Sequence, residues 1–448
     1  DGSIPTGCSV SIVPRLGYSG TGYLSGLNAE NGSTLELEAD IPATQHYDIT
    51  VVLGADTPST CRILANGEPV YTLKAEENEN FVRATVQGIF LSKGKCKLEI
   101  EPVSGIVDID CVELVNNNSL YDEDAAISQT PVNSHASASA KALLKFLADS
   151  YGRKIVTGQY VSDSTNRELE QIYQVTGAYP LIRFADMQSY SRNGGNAAQA
   201  TAVEDSLAWA QEGGIAGLSW YWNAPAGNAS IYAKDTTFDL SAAVTDKDIA
   251  TATDAQLSQM AASGEISEGC YAMIQDIDAV SEQLKKLADA DVPVLWRPLM
   301  EAGGDWFWWG ASGADAYRWL WKLMYTRMTE YHQLNNLLWI WNGQSSSYQV
   351  DKSQYDIASL DVYVKDKTEA YGSRYEQYVA LRNMTGGKLL ALSECSTFPD
   401  MNAMFRDNAV WSFFGLWYAP YLGEYTSNDA LLSVYHSEGA LVRGDYQP

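Results

Sequence analysis

No apolar run in this 448-residue chain reaches the roughly 18 residues that a membrane-spanning helix needs, so a helical membrane protein is excluded. Basic residues are scarce: 30 Lys and Arg stand against 56 Asp and Glu, a formal charge of -26. Such a surface repels phosphate backbones and anionic lipid, which removes nucleic acid and the membrane surface from the set of partners. A neutral polymer such as a polysaccharide meets no electrostatic barrier there. No Cys-x-x-Cys pair occurs among the six cysteines, so a structural zinc site is not expected. No Trp precedes Trp209, and all 13 lie between Trp209 and Trp417. Whatever the first quarter of the chain binds, it uses no Trp platform.

Length and pattern divide the chain. At 448 residues it exceeds one ordinary domain and suits a barrel of about 300 residues plus a smaller module. Residues 1–116 carry short segments of period-two alternation, such as Leu35–Ile41 (LELEADI) and Cys96–Val103 (CKLEIEPV), punctuated by Gly, Asn and Pro. That pattern predicts an all-β sandwich or jelly roll. Cys8, Cys61, Cys96 and Cys111 fall in this region; four cysteines in a small β module suggest two disulfides and an exported protein. Of the three possible pairings, Cys8–Cys111 with Cys61–Cys96 is expected, because terminal strands of sandwiches often lie side by side. The chain begins at Asp1 without Met, as it would after removal of a secretion signal. Residues 117–136, rich in Asn, Ser and Pro, read as a linker. From residue 137 to 448, helical periodicity alternates with short apolar strands, eight in number, which predicts a (β/α)8 TIM barrel.

Active sites in that fold sit on the loops after the strands. The predicted strand ends carry Gln159, Asp186, Trp220 with Trp222, Glu301, Trp341 with Asn342, Asp361 with Tyr363, Glu394 and Trp417. They offer carboxylates and flat rings, with neither His nor a phosphate loop. Residues 224–269, after the third strand, are long enough to form a cleft wall. The stretch Val292–Gly310 (VPVLWRPLMEAGGDWFWWG) delivers Glu301 onto a loop beside Trp306, Phe307, Trp308 and Trp309, and Glu394 ends a later strand in the same way. A lone Glu after a strand is ordinarily a solvated loop residue, and aromatics this dense are ordinarily core. Consecutive rings cannot all face one core, however, and the second strand-end Glu repeats the arrangement. Two carboxylates about 5–5.5 Å apart across a barrel mouth suit a retaining double displacement at a glycosidic bond. Glu301 is expected as general acid and base with a raised pKa, Glu394 as an ionised nucleophile helped by Arg297 and the Tyr363 hydroxyl. No cofactor is needed for that chemistry.

The segments GYSGTGYLSGLNAENGSTLELEADIP, NGEPVYTL and DIDCVEL resemble a carbohydrate-binding module of family 35. Members often hold calcium, for which the resemblance offers Asp108 and Asp110; the acidic pair that usually opens the module is absent near Cys8–Ser11. From about Lys141 to Leu422, the segments WRPL-x-E with GDWFWWG, LLWIWNGQ, LDVY and LALSE resemble glycoside hydrolase family 26, chiefly β-1,4-mannanases. By that resemblance Glu301 is the acid/base, Glu394 the nucleophile and Tyr363 its hydrogen-bond partner, while Trp306 and Trp417 stack on sugar. Substrate contacts are also expected from Arg297, Trp220, Tyr221, Trp222, Met300 and Phe398. Met300 and Tyr221 stand where the family usually has His, so the catalytic pair is kept while groups reading sugar hydroxyls differ. The expected activity is a secreted, monomeric endo-β-1,4-mannanase acting on mannan, glucomannan or galactomannan. The alternatives are an enzyme of the same fold for mixed-linkage glucan or β-1,3-xylan, an exo-acting mannobiohydrolase, and a non-catalytic glycan-binding protein.

Overall fold

Alternation of apolar and polar side chains drives the first part of the chain into antiparallel strands, because period-two burial puts one face of each strand in a core. The structure, a computed structural model, describes residues 4–42, 45–117, 127–365 and 372–447, so most of the predicted linker 117–136 lies outside the described residues at 118–126. The strands are β1 (Ser9–Ser11), β2 (Tyr23–Asn28), β3 (Leu35–Ile41), β4 (Gln45–Ala55), β5 (Ser59–Ala65), β6 (Glu68–Ala75), β7 (Val82–Leu91), β8 (Gly94–Ser104) and β9 (Ile106–Asn116). They form two sheets, ordered β1-β2-β9-β4-β7 and β3-β8-β5-β6. Ile49, Val51 and Leu53 from the first sheet and Ile63, Leu98 and Ile100 from the second share one buried core. The strands at Ser9, Tyr23, Glu68 and Val82 were not read from the sequence; their alternation is broken by Gly, Pro and polar residues.

The expected disulfides are corrected: Cys8, Cys61, Cys96 and Cys111 are thiols. Cys61 pairs across from Pro102, while Cys96 lies six residues earlier on β8, opposite Ala39. That offset is roughly 20 Å along the strand, far beyond disulfide reach. The terminal strands β1 and β9 do share a sheet, but β2 runs between them. Cys8 and Cys111 are thereby separated by about 10 Å across the sheet. Burial pushes the Cys61 thiol up to about 11, so it stays protonated.

The chain divides into two compact units, residues 1–125 with 401–409 and residues 126–400 with 410–448. In the second unit β10 (Ile155–Val156) precedes the barrel strands β11 (Gly158–Tyr160), β12 (Ile182–Asp186), β13 (Ile215–Trp220), β14 (Val294–Pro298), β15 (Leu337–Trp341), β16 (Ile357–Val362), β17 (Leu389–Cys395) and β18 (Phe414–Leu416). These eight close into a parallel barrel; β19 (Ala440–Leu441) pairs with β10 outside it. Both faces of β14, β15 and β17 are buried, as a parallel sheet wrapped by helices requires. The helices of this unit are α1 (Ala138–Ser150), α2 (Arg167–Thr176), α3 (Ala202–Gln211), α4 (Asp254–Ala262), α5 (Glu268–Asp289), α6 (Trp308–Ala311), α7 (Ala314–Thr326) and α8 (Tyr375–Thr385), then, after α9 (Met401–Arg406), which belongs to the first unit, α10 (Asn428–Tyr435). Ser267 caps α5 by accepting from the Cys270 N–H at 3.1 Å, and the helix buries the stripe Ile277, Val280, Leu284 and Leu287.

Residues 224–269 hold α4, which begins with a Thr253–Gln256 capping box. Arg327, fully buried, ties this segment down by donating from Nη1 to the carbonyls of Ala250 (3.1 Å) and Ala252 (3.0 Å) while pairing with Asp278. The same segment runs beside the aromatic cluster: Ala233 N–H donates to Trp306 O at 2.8 Å, and Trp308 N–H to Ile231 O at 3.1 Å. α7 ends as an α-helix at Thr326 and continues as a π turn through Arg327–Tyr331.

Candidate active site

β14 ends at Pro298, and the chain then turns through left-handed backbone at Leu299 (φ 50°), Glu301 (φ 54°) and Asp305 (φ 61°). Each such non-glycine residue costs about 1–3 kcal/mol and persists only where its surroundings hold it. Here Glu301 N–H donates to the Asn342 carbonyl at 2.7 Å, and Gly303 N–H to Gly343 O at 2.9 Å. The turn presents the Glu301 carboxylate to Trp306 Nε1 at 3.1 Å and Gln344 Nε2 at 3.3 Å. Gly304 lets the Trp306 ring lie close against the backbone, since a Cβ there would meet the ring at 2.0 Å. Of the four clustered aromatics only Trp306 is exposed, at 46 %. Trp308 Nε1 donates to Trp222 O at 2.7 Å and Trp309 Nε1 to Met300 O at 2.8 Å, both rings lying in the core.

Glu394, near the end of β17, is buried and accepts three hydrogen bonds. Tyr363 OH donates to Oε1 at 2.6 Å; Tyr221 OH (2.5 Å) and Arg297 Nη1 (2.9 Å) donate to Oε2. Burial and the facing Glu394 carboxylate push both tyrosine hydroxyls far above their ordinary value, so they remain donors. Arg297, fully buried, also pairs with Asp361 through Nη2. Asp361 Oδ1 accepts from Asn342 Nδ2 at 2.9 Å and Ser393 Oγ at 2.8 Å. Burial pushes the Asp361 carboxyl up to about 7 against the pull of Arg297, and the nearby Glu301 adds to the rise. One guanidinium thus faces Asp361 and Glu394, with Glu301 close by.

One electrostatic contribution was not expected. Burial raises the pKa of Glu394, against the opposing pull of Arg297, Tyr221 and Tyr363. Arg297 and Tyr363 were expected beside Glu394; Tyr221 and the desolvation were not, and the desolvation depends on how deeply the strand end is sunk.

Several expected substrate contacts are also corrected. Trp220 and Trp222 are fully buried and stack on each other at 4.1 Å, so no sugar reaches them. Met300 is fully buried. Phe398 is buried between Phe414 and Tyr435. Arg297 stands beside Glu394 as expected, but it is fully buried and is not a substrate contact. Trp417 is half-buried, stacked on Tyr418 at 4.5 Å and edge-on to Tyr221 at 5.6 Å. A cavity of about 420 Å³ continues from Tyr418 along Ser162, Asp163, Asp186 and Gln188. Asn342, Asp361 and Gln344 belong to the site although the sequence assigned them no role. Asn342 and Asp361 stood on the strand-end list, which was the available signal; Gln344 lies two residues beyond it.

Asp108 and Asp110 do not fit calcium. Asp108 Oδ2 accepts from the buried Arg15 Nε at 2.7 Å and Oδ1 from Gly26 N–H at 3.1 Å. Arg15 also pairs with Asp56 and donates to Asn78 O at 2.5 Å, so a guanidinium occupies the centre of the oxygen cluster that a hard cation would need. Asp110 Oδ1 is taken by Ser19 N–H at 2.8 Å. Among the described residues no group of three His, Cys, Asp or Glu could hold a metal ion.

Two carboxylates at the mouth of a (β/α)8 barrel, one beside an exposed Trp and one held by Arg and Tyr donors, are the apparatus of a barrel glycosidase. The chain belongs to glycosyl hydrolase family 26, whose model matches residues 132–444. Residues 2–116 match the carbohydrate binding module (family 35). A mannan endo-1,4-β-mannosidase of Thermothelomyces thermophilus is 32 % identical over 99 % of this chain and 89 % of its own. Mannan endo-1,4-β-mannosidase B of Piromyces is 30 % identical over 99 % of this chain and 75 % of its own. The crystal structure of the Podospora anserina GH26-CBM35 β-(1,4)-mannanase superposes with a TM-score of 0.76 at 28 % identity, covering 99 % of this chain and 96 % of that one.

Proposed function

We propose that the protein is a retaining endo-β-1,4-mannanase. The observation that carries the reading is the meeting of Glu301 and Glu394 at one barrel mouth, linked through Asn342, Asp361 and Arg297 and bordered by exposed Trp306. A Glu394 oxygen forms a bond to the anomeric carbon as the glycosidic C–O bond breaks, and Glu301 gives its proton to the departing oxygen. Glu301, now a carboxylate, takes a proton from water, whose oxygen displaces Glu394. Trp306 and Trp417 offer flat faces to sugar rings, and the cavity running past Tyr418 lets a polymer extend beyond the cleaved bond. The mannanase names of the full-length relatives support mannan as the polymer. Its size requires a site of action outside the cell, and the acidic surface leaves such a neutral chain unopposed. The enzyme acts as a monomer, with residues 2–116 holding it on the polysaccharide.

The test is a reducing-sugar assay on mannan, mixed-linkage glucan and β-1,3-xylan. Mannan is expected to be cleaved to mixed oligosaccharides, with Glu301→Ala lowering the rate by about 10²–10⁴-fold and Glu394→Ala abolishing it. Mannan hydrolysis that survives Glu394→Ala overturns the assignment; release of mannobiose alone overturns endo action.

A further inference from the structure

Tyr221 follows β13 and was expected to read a sugar hydroxyl. Its own hydroxyl is directed elsewhere. It lies 2.5 Å from Glu394 Oε2, and its backbone N–H donates to Asp186 Oδ1 at 2.9 Å. Its ring is set edge-on to Phe307 (6.1 Å) and Trp417 (5.6 Å), which fixes the direction of the hydroxyl. Oε2 therefore carries two donors, one charged and one neutral, while among the described residues Oε1 accepts from Tyr363.

We propose that Tyr221 is a positioning residue for the nucleophile: it holds the Glu394 carboxylate in its attacking orientation through a neutral hydrogen bond that does not change with pH. This rests on Glu394 being the nucleophile. A tyrosine hydroxyl adds no charge, and it keeps its proton across the working range because it is buried beside Glu394. The charged and titratable groups facing it are Glu394, Arg297, Asp361 and Tyr160, with Tyr363 on the far carboxylate oxygen and Asp186 behind its backbone. An imidazole at this place would gain a proton near pH 6.5 and would change the field at Glu394 within the working range.

The experiment compares the full-length enzyme with Tyr221→Phe and Tyr221→His. The first keeps the ring and its contacts and removes only the donor. A hydrogen bond to a charged group is at stake, so kcat should fall about 10- to 100-fold while KM stays within about threefold. Tyr221→His should introduce a new ionisation near pH 6.5 into the kcat/KM profile. Trapping with a 2-deoxy-2-fluoro-mannosyl fluoride, followed by mass spectrometry of peptides, separates this proposal from the one beneath it. Label on Glu394 formed at least about tenfold more slowly in Tyr221→Phe supports both. Label on Glu394 at the parent rate overturns the role of Tyr221 and leaves the nucleophile standing. Label on another residue overturns the nucleophile. A raised KM with unchanged kcat also overturns the proposal, since Tyr221 would then be binding sugar. Should Tyr221→Phe fail to fold, the pH profile of Tyr221→His decides alone: no new ionisation overturns the proposal.

Discussion

Removing Arg297 should separate the electrostatic frame of the site from its shape. Its guanidinium is fully buried and is the shared partner of Asp361 and Glu394, whose side chains are 1 % and 6 % exposed. Arg297→Met keeps most of the volume and leaves two buried carboxylates without their cation. Breaking a buried pair in this way costs about 3–5 kcal/mol. For a domain of this size that corresponds to a drop of about 5–10 °C in melting temperature. The sign of the pH dependence follows from the raised carboxyls. Asp361 titrates near 4 when unfolded and at about 7 when folded, so its ionisation opposes folding and stability falls as pH rises through that window. Loss of Arg297 raises the folded values of both Asp361 and Glu394 further, since Arg297 lowers each of them. The deficit of the variant relative to the parent should therefore be small near pH 4–5, where Asp361 holds its proton, and greatest near pH 8. Calorimetric scans of both proteins across that range measure it. A deficit that is the same at every pH, or that shrinks as pH rises, refutes the reasoning.

Trp306→Ala should lower kcat/KM on mannan by about tenfold or more through lost stacking and the lost hydrogen bond to Glu301; a change of less than twofold would place the ring outside the substrate path. Gly304→Ala drives a methyl into the Trp306 ring, so activity should fall together with Trp306 fluorescence changes while the melting temperature moves little; unchanged kinetics would contradict the close approach. Excess EDTA should leave thermal unfolding of the full chain unshifted, whereas Arg15→Met should lower it by several degrees by stranding Asp108; a chelator-dependent melt would show that a metal, and not Arg15, holds that cluster.

Much of the architecture was legible because period and punctuation act locally. Eight apolar segments separated by helical stripes can bury their backbones together only as a closed parallel sheet, and carboxylates at the ends of β14 and β17 must then share a mouth. The helices missed, α4, α9 and α10 among them, are short or weakly patterned, and their packing rather than their periodicity stabilises them.

What the residues by themselves determined was which side chains could do chemistry: Glu301, Glu394, and the Tyr and Arg around them. Which of those chances were used was decided in three dimensions. Trp306 faces the cleft while Trp308 and Trp309 enter the core because Phe307 is extended and α6 begins at Trp308, so the backbone changes conformation within the run. Phe398 is core because β18 and α10 close over it. The cysteines stay apart because β2 intervenes and β8 carries Cys96 away from Cys61. Glu394 is harder to ionise than its neighbours suggest because desolvation depends on depth, and depth is a property of the folded barrel rather than of any neighbouring residue along the chain.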